Sequence, residues 1–206
     1  MTTTPARIIG LTGGIATGKS TVARILEQHG IPVADADQLA RQALALGSPI
    51  RERVLQRYGA GIQTQAGDLD RGRLGQIVFA DPTERVWLEE QIHPFVKTQL
   101  QLFLQEQTGK GSPTVCLMIP LLFEAGMEDW VNEIWVVTCT PEQQRQRLSQ
   151  RDPLTIDQIE ARIASQWPLA EKIRRAHVVL DNSGSLSELQ RQVQQALTIA
   201  PPQWVG

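Results

Sequence analysis

The chain has 206 residues, of which 41% are hydrophobic and 20% are charged, and its formal net charge is -2. This length and composition are typical of a globular protein with a sizeable core, and they exclude a chain that is disordered throughout. Because the net charge provides no basic field, we expect no nucleic acid as a main partner.

The first segment, residues 1–36, predicts a strand, a helix and a second strand. The apolar run Arg7–Thr12 predicts a buried strand, and Lys19–Gln28 places its apolar residues on one helix face. Ile31–Asp35 predicts the second strand. Pro32 should lie at its start, or the strand should lie at a sheet edge, because proline cannot donate a ladder hydrogen bond.

The next stretch, residues 37–111, predicts helices and loops but no strand. One helix begins at Asp81, where the aspartate, Pro82 and Glu84 follow the usual order of a cap, a first helical residue and a capping-box acid. His93 precedes Pro94, which predicts a junction between helices at that point. We interpret the whole stretch as a helical insertion.

Strands return after the insertion and alternate with helices. The predicted strands are Thr114–Ile119, Ile134–Thr138 and Val178–Asp181. The segment 140–175 is polar, arginine-rich and interrupted by Pro153 and Pro168, and a final helix covers Leu186–Leu197. Strands that alternate with helices predict an α/β fold with a parallel sheet, whose ligands bind beyond the carboxyl ends of the strands.

A phosphate-binding motif lies between the first predicted strand and the first helix. Its pattern, G-x-x-x-x-G-K-[ST], is matched in full by Gly13, Gly14, Ile15, Ala16, Thr17, Gly18, Lys19 and Ser20. Glycines let the backbone wrap around a phosphate chain, and the helix N-terminus directs N–H groups at the anion. The motif predicts that Lys19 contacts the β- and γ-phosphates of a nucleotide and that Ser20 binds Mg²⁺.

Several classes of protein carry such a loop, and the rest of the sequence favours one of them. No guanine-reading N-K-x-D occurs, which argues against a switch GTPase. The third strand ends at Met118–Pro120 without the acid that a mechanical ATPase uses to hold its metal. A small-molecule kinase fits better, because such an enzyme needs a carboxylate near the substrate hydroxyl and a mobile basic lid.

Two carboxylates follow the second predicted strand, so they should lie at the same sheet edge as the phosphate loop. These are Asp35 and Asp37. A carboxylate at this edge can orient an attacking hydroxyl or accept its proton. Asp37 could instead cap the following helix, or one residue could serve both purposes.

Two arginines of the arginine-rich segment share a helix face, because Arg147 and Arg151 are four residues apart. No acidic residue lies three or four positions from either one, so a phosphate is a candidate partner for both. Arg162, on the next predicted helix, could converge on the same place. The alternative is a solvated basic face.

The sequence predicts a cytoplasmic protein with no membrane partner. Its only two cysteines, Cys116 and Cys139, lie in apolar segments, which favours reduced, buried thiols over disulfides. The N-terminal residues lack the apolar run of a signal peptide, and the longest apolar stretch, Val115–Phe123, is too short to span a bilayer. No sequence pattern indicates the oligomeric state.

Together these residues resemble the dephospho-CoA kinase family, which catalyses the last step of coenzyme A synthesis. The matching segments cover almost the whole chain in family order: Leu11–Ile15, Gly18–Thr21, Asp35–Asp37 with Arg41, His93–Pro94, Pro120–Glu124, Arg147–Leu148, Arg151–Asp152, Arg162–Gln166, Lys172 and Asp181–Gly184. Ala16 and Thr17 stand where the family usually has glycine and serine. The loop conformation should survive this change, because the glycines of the motif itself remain.

The resemblance implies a three-layer α/β/α phosphate-loop fold with five parallel strands. The implied division is a core of 1–36, 112–139 and 176–206, a helical substrate-binding domain at 37–111 and a helical lid at 140–175. ATP with Mg²⁺ would phosphorylate the ribose 3′-hydroxyl of dephospho-CoA. The alternative is another nucleoside or nucleotide kinase, or a nucleotide-binding switch.

The resemblance also implies roles for individual residues. The implied catalytic residues are Asp37, Lys19, Arg147 and Arg151. ATP would contact the loop residues Gly13 to Ser20, Thr21 and Asn182. The implied substrate-binding residues are Asp35, Asp37, Arg41, His93, Leu121 and Arg162.

Overall fold

The computed structural model describes residues 7–199 and divides the chain into two compact units. The first unit holds the chain up to Asp35 and from Leu104 onward, and the second unit is Ala36–Phe103. The predicted core segments also include residues 1–6 and 200–206, which lie outside the described residues. The substrate-binding role of residues 37–111 and the lid role of residues 140–175 stay predictions.

A five-stranded parallel sheet forms the centre of the first unit, as the sequence predicts. Its strands are β1 (Arg7–Gly13), β2 (Val33–Asp35), β3 (Thr114–Met118), β4 (Glu133–Thr138) and β5 (Val178–Asp181). They lie in the order β2-β3-β1-β4-β5, so β1 is central. The α-helices within residues 7–199 are α1 (Lys19–Gln28), α2 (Ala36–Ala43), α3 (Pro49–Tyr58), α4 (Arg71–Ala80), α5 (Pro82–Gly109), α6 (Pro141–Arg151), α7 (Ile156–Ala164), α8 (Leu169–Arg174) and α9 (Leu186–Thr198).

Both faces of the sheet are covered, as the consecutive buried residues along its strands show. Ile9 of β1 is buried in one core with Val22 of α1 and Leu189 of α9. Trp135 of β4 belongs to the same core, and its neighbour Val136 is also buried. Since successive residues of a strand point to opposite faces, both faces are packed against other parts of the protein. This is the layered α/β/α arrangement that the resemblance implies.

Pro32 determines where the edge strand begins. The strand β2 starts at Val33 and pairs only with β3 among the described strands. Pro32 has no N–H to donate, but its carbonyl accepts a hydrogen bond of 2.9 Å from the Cys116 N–H. Both sequence alternatives for this proline, the strand start and the sheet edge, are therefore correct.

The two cysteines are free thiols. Cys116 is fully buried in β3, and this burial raises the pKa of its thiol far above the usual range, so the thiol stays protonated. Cys139 is half-buried, and burial raises its pKa as well. Between residues 7 and 199, no helix combines the length and the apolar character needed to cross a bilayer.

The second unit has an apolar core of its own and includes most of a long helix that runs through a proline. The core includes Ala43, Leu44, Ile50, Val54, Ile62, Leu69 and Leu74. Helix α5 is continuous across Pro94, so the predicted helix junction at His93 is wrong. Proline removes only one backbone hydrogen bond, and burial of Val96 and Leu100 on the following turns favours helix continuation.

An ion pair joins α3 and α5 within the second unit. Both oxygens of the Glu84 carboxylate accept hydrogen bonds from the Arg57 guanidinium, at 2.7 and 2.8 Å. The Tyr58 hydroxyl donates a third hydrogen bond to Glu84, at 2.5 Å. The hydrogen bonds from Arg57 are the largest cause that lowers the pKa of Glu84, to about 2. Burial and the hydrogen bond to Glu84 raise the pKa of Tyr58 to about 12.

The pairing of Glu84 should make the stability of the protein sensitive to acid. Because the folded pKa lies below the ordinary value of 4.5, the stabilisation is present above that pH and is lost as the pH falls towards 2. We expect the urea midpoints of the wild type and Glu84→Gln to differ at neutral pH and to converge between about pH 5 and pH 2. Glu90→Gln, an exposed change on the same helix, is the control. A difference that stays constant over this range would contradict the prediction.

Candidate active site

The phosphate-loop motif forms the turn between β1 and α1, as the sequence predicts. Gly13 and Gly18 have φ angles of 144° and 102°, which side chains rarely adopt. A Cβ atom on Gly18 would lie 2.0 Å from Nδ2 of Asn182, and one on Gly13 would lie 2.4 Å from the Val137 carbonyl oxygen. Gly18 caps α1 without a side chain, so no capping side chain occupies the first-turn N–H groups. The loop can therefore present backbone N–H groups to an anion.

Lys19 folds back over the loop. Its ammonium nitrogen, Nζ, donates hydrogen bonds to the carbonyl oxygens of Gly13, at 3.1 Å, and of Gly14, at 2.7 Å. The side chain is half-buried, because the loop carbonyls draw the ammonium inward. The neighbouring Ser20 is exposed at the start of α1, where its hydroxyl can meet a ligand from solvent.

Arg147 and Asn182 meet at one carbonyl of the loop. The Arg147 Nη1 donates to the Thr17 carbonyl oxygen at 3.3 Å, and the Asn182 Nδ2 donates to the same oxygen at 2.8 Å. A second guanidinium nitrogen, Arg147 Nη2, donates to the Asn182 carbonyl oxygen at 2.9 Å. Helix α6 and the end of β5 thus bring both predicted residues to the phosphate loop.

Arg151 and Arg162 both form ion pairs with Asp152. Arg151 Nη2 and Arg162 Nη1 each lie 2.9 Å from Oδ2 of Asp152. The hydrogen bond from Arg151 is the main cause that lowers the pKa of Asp152. The expectation that Arg151 has no acidic partner is therefore wrong. Its acid directly follows it, at the C-terminus of α6, outside the helical spacing of three and four residues.

The predicted substrate residues are distributed over both units. Asp35 ends β2, opposite Met118 of β3, and Leu121 is exposed in the loop after β3. Asp37, Arg41 and His93 belong to the second unit, with the first two on α2 and His93 exposed on α5.

Asp37 lies inside helix α2 and not at its N-cap. Helix α2 begins at Ala36, directly after β2, so Asp37 lies within the first turn and is not the N-cap. A carboxylate in the first turn interacts favourably with the positive end of the helix. The N-cap position that the sequence considered for Asp37 falls two residues earlier, because α2 begins directly after β2.

Two glutamines that were not among the predicted site residues contact the phosphate loop. Nε2 of Gln144, on α6, donates to the Ile15 carbonyl oxygen at 2.8 Å. The N–H of the same Ile15 donates to Oε1 of Gln166, also at 2.8 Å. Gln166 lies in one of the segments that resemble the family, which was a usable signal. Gln144 had none, because it is one of several glutamines on a polar helix.

A buried ion pair lies beside Gln166. Nζ of Lys172 is 2.8 Å from Oε1 of Glu124, and the lysine side chain has no exposed surface. The same Glu124 oxygen accepts a 2.9 Å hydrogen bond from the Trp167 N–H. The Trp167 ring stacks on Phe123 with centroids 5.8 Å apart, so the chain after α7 is anchored to the loop after β3.

Ala16 holds a strained conformation in the middle of the phosphate loop. Its φ of 58° is left-handed, which costs a residue with a Cβ about 1–2 kcal/mol. We expect Ala16→Gly to relieve this strain and to raise stability by up to about 1 kcal/mol after the entropy of glycine is subtracted. Thermal unfolding should then shift upward by a few degrees. Ala161→Gly, inside α7, should shift it downward, and a decrease in both variants would contradict the prediction.

Comparison with known proteins identifies the family. A family model described as dephospho-CoA kinase matches residues 7–188. A dephospho-CoA kinase from Synechococcus sp. (strain JA-2-3B'a(2-13)) is 71% identical, over 94% of this chain and 93% of its own. The crystal structure of TT1252 from Thermus thermophilus has a TM-score of 0.77 at 38% identity and covers 94% of this chain and 97% of that one. A dephospho-CoA kinase structure from Campylobacter jejuni has a TM-score of 0.68 at 25% identity and covers 92% and 94%. Because the family model spans most of the sequence, the chain belongs to the dephospho-CoA kinase family.

Proposed function

We propose that this chain transfers the γ-phosphoryl group of ATP to the ribose 3′-hydroxyl of dephospho-CoA, which gives CoA and ADP in the last step of coenzyme A synthesis. The family membership supports the substrate, and the geometry of the phosphate loop supports the nucleotide. The observation that carries the proposal is the Gly18–Lys19 turn. It joins the central strand to an uncapped helix N-terminus in a chain that the family model matches at residues 7–188.

In this proposal the loop binds ATP through its backbone and Lys19. The N–H groups at the start of α1, which no capping side chain occupies, face the phosphates, and the Lys19 ammonium exchanges its two carbonyl partners for phosphate oxygens. A phosphate carries full negative charge and carbonyl oxygens do not, so the exchange favours the bound nucleotide. Arg147 stabilises charge on the transferring group, and Asn182 contributes to ATP binding from the same side of the loop.

Asp37 takes the role of the carboxylate that faces the 3′-hydroxyl. A carboxylate can accept the hydroxyl proton or orient the oxygen for in-line attack. Asp35, Arg41, His93, Leu121 and Arg162 are the proposed substrate contacts. Of these, Arg162 already donates to Asp152 through Nη1, so in this proposal it contacts substrate through its other N–H groups.

The residues present fit a Mg²⁺ ion bound with ATP. Mg²⁺ is usually held by one or two protein oxygens together with waters and substrate phosphates, and the exposed Ser20 hydroxyl is such an oxygen. When bound, Mg²⁺ would neutralise charge on the β- and γ-phosphates. The protein's own part is to hold Ser20 at the first turn of α1, next to Lys19.

Replacing Arg147 by lysine should lower kcat by about 10- to 100-fold, because the charge stays but the two-pronged guanidinium is lost. In the structure both guanidinium nitrogens are used, one on Thr17 and one on Asn182. Arg145→Lys on the same helix is the matched control, because Arg145 is exposed and pairs with Glu160. Steady-state kinetics on both variants test this prediction. Equal kcat values for the two variants would show that the guanidinium of Arg147 does not contribute to catalysis.

Purified protein with ATP, Mg²⁺ and a panel of acceptors tests the function as a whole. The panel holds dephospho-CoA, nucleosides and nucleoside monophosphates, and both ADP and the phosphorylated product are measured. We expect product only with dephospho-CoA, with the new phosphate on the 3′-oxygen by NMR. Phosphorylation of a nucleoside or nucleotide alone, or ATP hydrolysis without any acceptor, would replace the proposal with the corresponding alternative.

A further inference from the structure

The side-chain amides of two glutamines form hydrogen bonds with the two backbone polar groups of Ile15, a residue of the phosphate loop. Gln144 donates to the Ile15 carbonyl oxygen and Gln166 accepts from the Ile15 N–H, both at 2.8 Å. The backbone fixes which end of each amide is used, because an N–H requires an acceptor and a carbonyl requires a donor. Gln144 is buried, and a Cβ on Gly14 would lie 2.9 Å from its Nε2, so the loop glycine makes room for this contact.

These contacts restrain two consecutive peptide units. A trans peptide is planar, with its C=O and N–H pointing in opposite directions. The Ile15 N–H shares a peptide unit with the Gly14 carbonyl, which accepts the 2.7 Å hydrogen bond from Lys19. The Ile15 carbonyl shares the next unit with the N–H of Ala16, the residue with φ of 58°. Gln166 thus acts on the partner of Lys19, and Gln144 acts on the strained residue.

The elements that carry the two amides are themselves anchored. Helix α6 begins with a capping box at Thr140 and contacts the loop again through Arg147. Gln166 directly precedes Trp167, which is held by the Glu124 hydrogen bond and by stacking on Phe123. The fully buried Lys172 pairs with the same Glu124 oxygen. Each glutamine therefore contacts Ile15 from a segment of the chain that other contacts hold in place.

We propose that Gln144 and Gln166 are positioning residues of the phosphate loop. Together they fix the orientation of the peptide unit between Gly14 and Ile15 and hold Ala16 in its left-handed conformation, which shapes the loop for the phosphates of ATP. Because both glutamines lie in the segment 140–175, the shape of the loop depends on where that segment sits. The inference rests on the proposed function for its catalytic readout, but its ATP-binding readout is independent of it.

Four substitutions test the inference. Two of them remove one hydrogen bond each, and the other two add the same negative charge at the two positions. Gln144→Met and Gln166→Met remove one hydrogen bond each without adding charge. Gln144→Glu and Gln166→Glu add the same charge, but a carboxylate at 166 still accepts from the Ile15 N–H, whereas one at 144 opposes a carbonyl oxygen. Gln146→Met and Gln146→Glu are controls on the exposed side of α6. Kinetics with ATP and dephospho-CoA varied separately, and ATP binding by calorimetry, are measured for each variant.

We expect each methionine variant to weaken ATP binding or kcat by about tenfold, the order expected for a lost hydrogen bond with an unpaired partner. The KM for dephospho-CoA should change by less than about twofold, since the contacts are confined to the ATP loop. Gln144→Glu should lose about tenfold more than Gln166→Glu at pH 8 and should recover as the pH falls, because a protonated carboxyl can donate to Ile15.

The results also separate this inference from the proposed function. Methionine variants that match the wild type in kcat, KM for ATP and ATP affinity would overturn the inference, as would equal losses in the two glutamate variants. If Gln144→Glu does not fold, the Gln144→Met variant decides in its place. A wild type that does not phosphorylate dephospho-CoA would overturn the proposed function, and the calorimetric ATP affinities would still decide the inference.

Discussion

Replacing Lys19 with alanine should reduce turnover by about a thousandfold while the protein stays folded. In the structure the ammonium meets two neutral carbonyl oxygens of the loop. ATP offers charged oxygens at the same place, and charge develops between the β- and γ-phosphates as the phosphoryl group leaves. No other lysine belongs to the loop, so the alanine variant has no side chain to take over this charge.

The matched control for this prediction is Lys110→Ala. Lys110 is an exposed lysine of the same unit whose ion pair with Glu106 lies on the surface, so its loss should change neither turnover nor stability by much. Product formation and thermal unfolding are measured for both variants. A folded Lys19→Ala protein with near-normal turnover would show that the loop does not perform phosphoryl transfer.

Replacing Asp37 with asparagine should lower kcat by about 10²- to 10⁴-fold, the usual contribution of a positioned general base. Asparagine keeps the size and the hydrogen-bonding oxygen of the side chain, but it cannot take a proton. The ATP affinity should change little, because the phosphate loop is intact. Calorimetry with ATP and a product assay with dephospho-CoA separate the two effects.

Two further variants are compared with Asp37→Asn. Asp157 is the second residue of α7, as Asp37 is the second residue of α2, so Asp157→Asn measures the loss of a first-turn charge on stability, about 0.3–1 kcal/mol. Asp35→Asn tests the other carboxylate at the end of β2. If Asp35→Asn loses activity and Asp37→Asn keeps it, the general base is Asp35.

The strands could be predicted because each signal was local. Continuous apolar runs marked β3 and β4, and the structure places both within one residue of the prediction. The breaks at Pro153 and Pro168 were also correct, since α6 ends before the first and α8 begins after the second. Pro94 gave the same local signal and was misleading, because burial of the following turns decided the outcome. The sequence around a proline carries no local signal of such tertiary packing.

The phosphate loop was predictable, but its surroundings were only partly so. The motif combines a fixed spacing with residue types that few other structures need, and it therefore identified the turn. The hydrogen bonds of Gln144 and Gln166 join residues more than a hundred positions apart, and a glutamine carries no periodic or compositional signal of such a contact. Arg151 shows the reverse case, because its partner Asp152 was adjacent in sequence but lay outside the helical spacing considered.

The strand order has a consequence for how the chain folds as it is made. β1 and β2 are not neighbours in the sheet, because β3 lies between them and β4 flanks the other side of β1. About 80 residues separate β2 from β3, so at 5–20 residues per second a ribosome needs roughly 4–16 s to supply the first strand partner. During this interval the second unit can already bury its apolar core, which draws only on its own residues. Both edges of β1 stay unpaired meanwhile, because its neighbours β3 and β4 come later in the chain, so the yield of active protein should depend on translation speed and on chaperones that shield this strand.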